Sequence, residues 1–264
     1  MRLQRIAGRR PSDDRIGRAD LPCVARPVYS ASMADNLQVL SLGGSIVAPD
    51  GVDTGYLKRL RVTLSSFLVS DEARRLVLVV GGGAPARAYQ QAYRSIVESP
   101  GDNEQDWIGV AATRLNGELI RALFAEYCDA PVLTDPSGDA NLDGKVIVAA
   151  GWKPGFSTDY VSVALSERLG ARRLINLSNI AKVYSSDPRT HGDARPLDKL
   201  TWKEFREIVG DEWIPGKNAP FDPVASRRAS ESHLEVIVAA GRDIENLAAI
   251  LEGRAFIGTR IGPE

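Results

Sequence analysis

The chain is poor in the residues that build metal and thiol centres. It holds two histidines, His191 and His233, and two cysteines, Cys23 and Cys128, in 264 residues. Structural zinc takes about four such ligands at short, regular spacing. No such spacing occurs, so a His/Cys zinc centre is excluded and no metal-ligating residues are assigned. Two distant thiols make no disulfide framework either; they are expected to stay reduced, which places the chain in the cytoplasm. An excess of one charge is also missing, with 33 basic and 34 acidic side chains and a formal charge of -1. A nucleic-acid partner is therefore not expected, because phosphate backbones ask for a strong basic surplus. No apolar run approaches the ~20 residues of a bilayer span, so no membrane partner is expected.

What is present is an ordinary globular composition, 44% hydrophobic and 25% charged. It suits one large α/β domain, or two closely joined lobes, with no need of disulfide staples. The N-terminal segment 1–36 stands apart. Arg2, Arg5, Arg9, Arg10, Arg15 and Arg18 alternate with Asp13, Asp14 and Asp20 among proline and glycine. No apolar stretch follows, so this is not a secretory signal, and its acids argue against a transit peptide. It reads as a disordered extension. Ordered patterning begins just after Met33, which makes Met33 a second candidate start.

From there strands and helices alternate. Residues 37–42 form an apolar run that ends in Gly43-Gly44. Thr54 can cap a helix with Leu57, Leu60, Leu64 and Leu68 at helical spacing. Residues 76–80, LVLVV, are apolar on both faces, as inside a parallel sheet, and end in Gly81-Gly82-Gly83. A helix is expected over 86–97, a loop over 99–106, and a long helix over 108–127 with Leu115, Leu119, Ala122 and Leu123 inward. Residues 132–133, 146–150, 174–177 and 236–239 read as strands, and 157–169 and 244–251 as helices. Thr201 and Glu204 form a capping box, and Asp222-Pro223 an N-cap with proline at the first helical position. The fold class is α/β, a largely parallel sheet with helices on both faces.

The glycine clusters carry the first chemical signal. Each follows a buried strand and precedes a helix, so backbone N–H groups can approach a phosphate there. Neither fits the Walker or the G-x-G-x-x-G pattern. Arg87, four residues past Gly83, can reach a phosphate held in the second loop. A third strand end carries Gly151-Trp152-Lys153-Pro154-Gly155-Phe156-Ser157-Thr158-Asp159. Asp159 there serves either as a helix-dipole partner or as an acid that orients cations or water beside a transferred phosphoryl group. Trp152 and Phe156 pack either on a substrate or in the core. Among the lysines near the proposed active end, Lys217 and Lys182 follow Arg87 as cationic candidates. Phosphoryl transfer asks for positioning and charge neutralisation rather than a strong base, which suits a chain without a His or Cys nucleophile site.

In order, GGS, GGGxxAR, DxxGxxxTRxN, GxxPGxSTD, VYxxDP and DPxA resemble the amino-acid kinases, and within them the UMP kinases of archaeal type. The resemblance spans about residues 37–262. Asp106-Trp107-Ile108-Gly109 with Thr113-Arg114-Leu115-Asn116 is its most discriminating part, similar to the helix that lines the acceptor nucleotide. The resemblance implies a three-layer α/β/α fold over 37–264, with an acceptor-binding lobe at about 37–170 and an ATP-binding lobe at about 171–264. It implies UMP binding by Gly82, Asp106, Gly151, Trp152, Lys153, Pro154, Gly155, Phe156 and Ser157, with Thr158 alongside. Gly44, Ser45, Gly83 and Arg87 would face ATP phosphates, and Ser178, Tyr184 and Asp187 would hold the adenosine. Arg87, Asp159 and Lys217 would be the catalytic set. ATP with Mg²⁺ as cofactor, a homohexamer and a place in pyrimidine nucleotide supply are implied too. The alternatives are a carboxylate or small-phosphate kinase of the same fold, and a non-catalytic nucleotide-binding storage or sensor protein. Three positions depart from the family pattern: Ser41 stands where many members have lysine, Ile180-Ala181-Lys182 replaces Val-Asp-Gly, and Pro215-Gly216-Lys217-Asn218 has no close counterpart.

Overall fold

A computed structural model describes residues 36–210 and 219–263. Residues 1–35 of the N-terminal extension, with Cys23 and Met33, and Lys217 lie outside the described residues. In chain order the described residues form β1 (Leu37–Leu42), α1 (Gly44–Val47), α2 (Thr54–Val69), β2 (Arg75–Val80), α3 (Gly83–Ile96), α4 (Asp102–Leu123), β3 (Val146–Ala149), α5 (Thr158–Leu169), β4 (Arg173–Ser178), β5 (Val183–Tyr184), β6 (Pro196–Leu197), β7 (Lys199–Thr201), α6 (Trp202–Val209), α7 (Pro223–Glu231), β8 (Glu235–Ala240), α8 (Ile244–Leu251) and β9 (Thr259–Gly262). Seven strands make one sheet in the order β3-β2-β1-β4-β8-β9-β7, and β5 and β6 make a separate hairpin. Pairing is parallel throughout the large sheet except between β8 and β9.

Strand period decides the layers. Val39, Val77, Val79, Ile147, Leu174, Val236 and Val238 point to one face, where α5, α6 and α7 cover them. Their neighbours Leu40, Leu76, Leu78, Val148, Ile175, Ile237 and Ala239 point to the other, under α1, α2 and α8 and the end of α4. The central strands are buried on both sides, which is why their sequences are nearly continuous apolar runs. Each fully buried Leu, Ile or Val contributes roughly 1.5–3 kcal/mol. The architecture is thus a three-layer α/β/α sandwich.

Several local expectations change. The cap of α2 is Asp53, whose Oδ1 accepts from Tyr56 N at 2.9 Å, and Thr54 is already helical. Residues 102–106 are not loop; α4 starts at Asp102, with Asp102 and Glu104 in its first turn. That turn is polar because it lies away from the apolar core, and its acids complement the helix dipole. Leu115 and Ala122 face solvent, while Val110, Thr113, Gly117 and Ile120 face inward. The inward face of α4 meets glycine loops over its first half, so small and polar residues replace the leucine stripe. Residues 132–133 contribute an isolated bridge, Leu133 to Ala149, rather than a strand. The capping box at Thr201 and Glu204 and the Asp222 cap with Pro223 form as expected. Strands β5, β6, β7 and β9 have only two to four residues each, too short to carry a periodicity.

Candidate functional site

The strand order reverses between β1 and β4: the chain runs from β1 to β2 on one side and from β4 towards β8 on the other. A crevice opens at the carboxyl ends of strands that part in this way. Gly43 N donates to Leu177 O at 3.0 Å and Gly81 N to Leu42 O at 2.9 Å, so both glycine loops begin as continuations of the ladder.

The glycines are needed first for each other. A Cβ on Gly44 would sit 2.1 Å from Gly83 N and 2.7 Å from Gly82 N, and one on Gly81 would sit 2.4 Å from Gly44 N. Gly83 also has φ +63°, a conformation open to glycine. The loops after β1 and β2 therefore pack backbone against backbone. Among the described residues, the N–H groups of Gly44, Ser45, Gly82 and Gly83 find no protein acceptor. They sit at the starts of α1 and α3, where the helix ends add partial positive charge.

Helix α4 ties this pair of loops to the third. Asn116 Nδ2 donates to Gly81 O at 2.8 Å and to Gly82 O at 2.9 Å. Thr113 Oγ1 accepts from Gly151 N at 2.8 Å and donates to Val110 O at 2.6 Å. Arg114 donates from Nη2 to Trp152 O at 2.9 Å and from Nε to Gly151 O at 3.4 Å. Asp106 Oδ2 accepts from Gly155 N at 2.7 Å. The structure thus brings Gly82, Gly83, Asp106 and the 151–157 loop into one connected unit.

Within that loop, Trp152 is buried in the core cluster and packs in a tilted contact on Phe156, with ring centres 4.7 Å apart, and Phe156 packs likewise on Tyr160, at 4.7 Å. Both aromatics are packed on the core. Lys153 is exposed, with its ammonium 4.0 Å from the Trp152 ring centre, a cation–π contact. Ser157 Oγ caps α5 by accepting from Tyr160 N at 3.1 Å, and Thr158 is the first helical residue. Pro154 and Gly155 make the turn between them, with Gly155 at φ +84°.

Asp159, in the first turn of α5, sits at the end of β1 and the start of α7. Its Oδ1 accepts from Ser41 Oγ at 3.1 Å and its Oδ2 from Asp222 N at 3.2 Å. Desolvation and then the nearby Asp222 carboxylate push its pKa up to about 6, against the pull of those two donors. The position that departs from the family pattern, Ser41, is therefore a direct partner of the candidate acid.

The ATP-side candidates are less tightly joined. Arg87 is exposed, and its Nη2 donates to Pro49 O at 2.6 Å, beside the α1 loop. Ser178 ends β4, and its Oγ accepts from Ile180 N at 3.3 Å. Tyr184 and Asp187 lie in and after β5; the hairpin is pinned by Val183 N donating to Thr259 Oγ1 at 2.8 Å. Among the described residues no hydrogen bond or ring contact joins Tyr184 or Asp187 to the glycine loops. Asp187 is held by Arg189, which contacts both carboxylate oxygens, and this drives its pKa down to about 2. Lys182 pairs with Asp198. Among the described residues no cluster of three or more His, Cys, Asp or Glu could hold a metal. A cavity of about 570 Å³ lies elsewhere, between α6, the end of α7 and Pro263. Nothing in the sequence singles out Asn116, Arg114 and Asp222 as individual site residues, because their placement depends on contacts 34 to 63 positions away along the chain.

Residues 36–240 match the amino acid kinase family. A uridylate kinase of Thermoplasma volcanium is 34% identical over 225 residues, covering 84% of this chain and 96% of that protein. One from Methanococcus vannielii is 35% identical over 220 residues, covering 81% and 95%. The crystal structure of a uridylate kinase from Archaeoglobus fulgidus aligns with a TM-score of 0.71 at 30% identity, over 85% of this chain and 99% of that one. A UMP kinase from Bacillus anthracis shares the fold, with a TM-score of 0.68 at 18% identity over 87% and 96%.

Proposed function

This chain belongs to the amino acid kinase family, and we propose that within it the reaction is transfer of the γ-phosphoryl group of ATP to UMP, giving ADP and UDP. The observation that carries the reading is the row of acceptor-free N–H groups at Gly44, Ser45, Gly82 and Gly83, set where the strand order reverses. Relatives described as uridylate kinases, similar over nearly their whole length, support UMP as the acceptor.

The attacking group is a phosphate oxygen that is already anionic, so no strong base is required. The task is to hold two anions in line and to spread charge off the moving phosphoryl group. In this reading Gly82, Asp106 and the loop from Gly151 to Ser157, with Thr158, hold UMP. Gly44, Ser45, Gly83 and Arg87 face the phosphates of ATP, and Ser178, Tyr184 and Asp187 lie along its adenosine. Asp106 would take a ribose hydroxyl with the carboxylate oxygen that does not bind Gly155. Arg87 and Lys217 supply positive charge, and Asp159 orients the cationic groups around the phosphoryl group in flight. Mg²⁺ enters with ATP as part of the MgATP substrate. The two lobes, 37–170 and 171–264, are then halves of one sheet rather than separate bodies. A place in pyrimidine nucleotide supply and in the cytoplasm goes with this activity.

A homo-oligomer, with a hexamer as the assembly, fits the surface. Helix α3 has no buried residue, and Tyr89, Ile96, Trp107 and Leu115 of α3 and α4 expose large apolar area.

A coupled ADP-release assay with UMP, CMP, dCMP, glutamate and N-acetylglutamate tests the reading. UMP should give the highest kcat/KM. Turnover with a carboxylate in place of UMP would overturn it, as would ATP binding with no turnover on any acceptor.

A further inference from the structure

We propose that Arg114 and Asn116 are positioning residues that set the direction of the ligand-facing backbone N–H groups in the loops after β2 and β3. The inference rests on the UMP-kinase reading of the site. In a planar trans peptide the C=O of one residue and the N–H of the next point in opposite directions. Asn116 holds the carbonyls of two consecutive residues, Gly81 and Gly82, towards α4. The N–H groups of Gly82 and Gly83 are thereby turned away from α4. Arg114 holds the next pair, Gly151 and Trp152. That turns the N–H groups of Trp152 and Lys153 away from α4 in the same manner, and neither has an acceptor among the described residues.

One helix therefore orients four donors on two strand ends with two side chains. Glycine makes such anchors necessary, because glycine peptides rotate with little steric resistance. Without the carbonyl anchors the planes can turn, and the donors then leave the ligand. Asn116 is 2% exposed and both of its Nδ2 hydrogens are used, so it is not available to touch substrate. The guanidinium of Arg114 spans two carbonyls and lies 5.9 Å from the Trp107 ring. Its planar fork, rather than its charge, is what the geometry uses, and lysine cannot reproduce that fork.

The test compares wild type, Arg114→Lys and Asn116→Asp for kcat and KM with each substrate, UMP binding by calorimetry, and thermal midpoint. Arg114→Lys should raise the KM and Kd for UMP roughly tenfold, with KM for ATP within about twofold and the fold retained. Asn116→Asp keeps the shape but faces two carbonyls with acceptors, and should lower kcat roughly a hundredfold. Arg114→Lys with wild-type UMP kinetics, or with equal effects on both substrates, overturns the proposal for Arg114. That arm stands if Asn116→Asp fails to fold. Asn116→Asp folding with wild-type kcat overturns the proposal for Asn116. Wild type that does not phosphorylate UMP at all overturns the parent reading as well, so the two failures are told apart.

Discussion

Replacing Asp159 by asparagine should stabilise the protein while impairing it. The carboxylate is half-buried, receives one hydrogen bond from Ser41 and one from Asp222 N, and lies near the Asp222 charge. Burial is the larger cause of its pKa of about 6, against an ordinary 3.8, and the Asp222 charge the smaller. A carboxyl that holds its proton more tightly when folded loses stability as pH rises from the unfolded to the folded pKa. The ionised form therefore costs well under 1 kcal/mol at pH 4 and about 3 kcal/mol above pH 7, from about two pKa units at about 1.4 kcal/mol each. Asparagine removes that charge. Its Oδ1 can still accept from Asp222 N, and its Nδ2 can donate to Ser41 Oγ. At pH 8 the variant should melt roughly 6–12 °C higher, at about 2–4 °C per kcal/mol for a domain of this size. The gain should shrink towards pH 4. Calorimetry of both proteins, free of nucleotide, across pH 4–8 measures this. A difference independent of pH, or a variant less stable at pH 8, would refute the burial argument. UMP-dependent turnover should fall in the same variant if the proposed orienting role of Asp159 holds; unchanged turnover would remove Asp159 from the catalytic set.

Gly44→Ala should cost about 3 kcal/mol or more, since its Cβ would lie 2.1 Å from Gly83 N and backbone cannot step aside; urea unfolding within 1 kcal/mol of wild type would contradict the loop-on-loop packing. Arg228 and Glu167 pair at 2.6 Å with side chains only 13% and 9% exposed, bridging α7 to α5. Arg228→Ala strands a buried carboxylate and should cost about 3–5 kcal/mol in the same measurement. Arg87→Ala should sharply reduce UMP-dependent ADP release without lowering the thermal midpoint, since Arg87 is exposed and bonds a single carbonyl; unchanged release would remove Arg87 from the phosphate site. Asp106→Asn keeps an acceptor for Gly155 N, so the loop should hold while KM rises more for UMP than for ATP; the reverse order in steady-state kinetics would exchange the two ends of the site.

Much of this protein was legible from the chain alone, and the reason is local. Continuous apolar runs such as 76–80 can satisfy their side chains only between two helical layers, so the sheet and its burial follow from them. Asp222-Pro223 and Thr201 with Glu204 mark helix starts because their hydrogen bonds close within three residues. The glycine clusters marked the loops that close β1 and β2, and the Asp106–Asn116 pattern marked the likeness to the uridylate kinases. What the chain could not tell is why those residues matter. Gly44 and Gly83 meet only when β1 and β2 pair, and Asn116 reaches Gly82 only when α4 lies across the strand ends. Asp159 becomes a raised-pKa acid only when the fold desolvates it and brings the Asp222 carboxylate near, against the hydrogen bonds from Ser41 and Asp222 N. Hydrophobic period and capping act over a few residues and can be read in order along a sequence. Donor direction, close backbone approach and a carboxylate's proton affinity are set by neighbours distant in the chain, and the tertiary structure alone decides them.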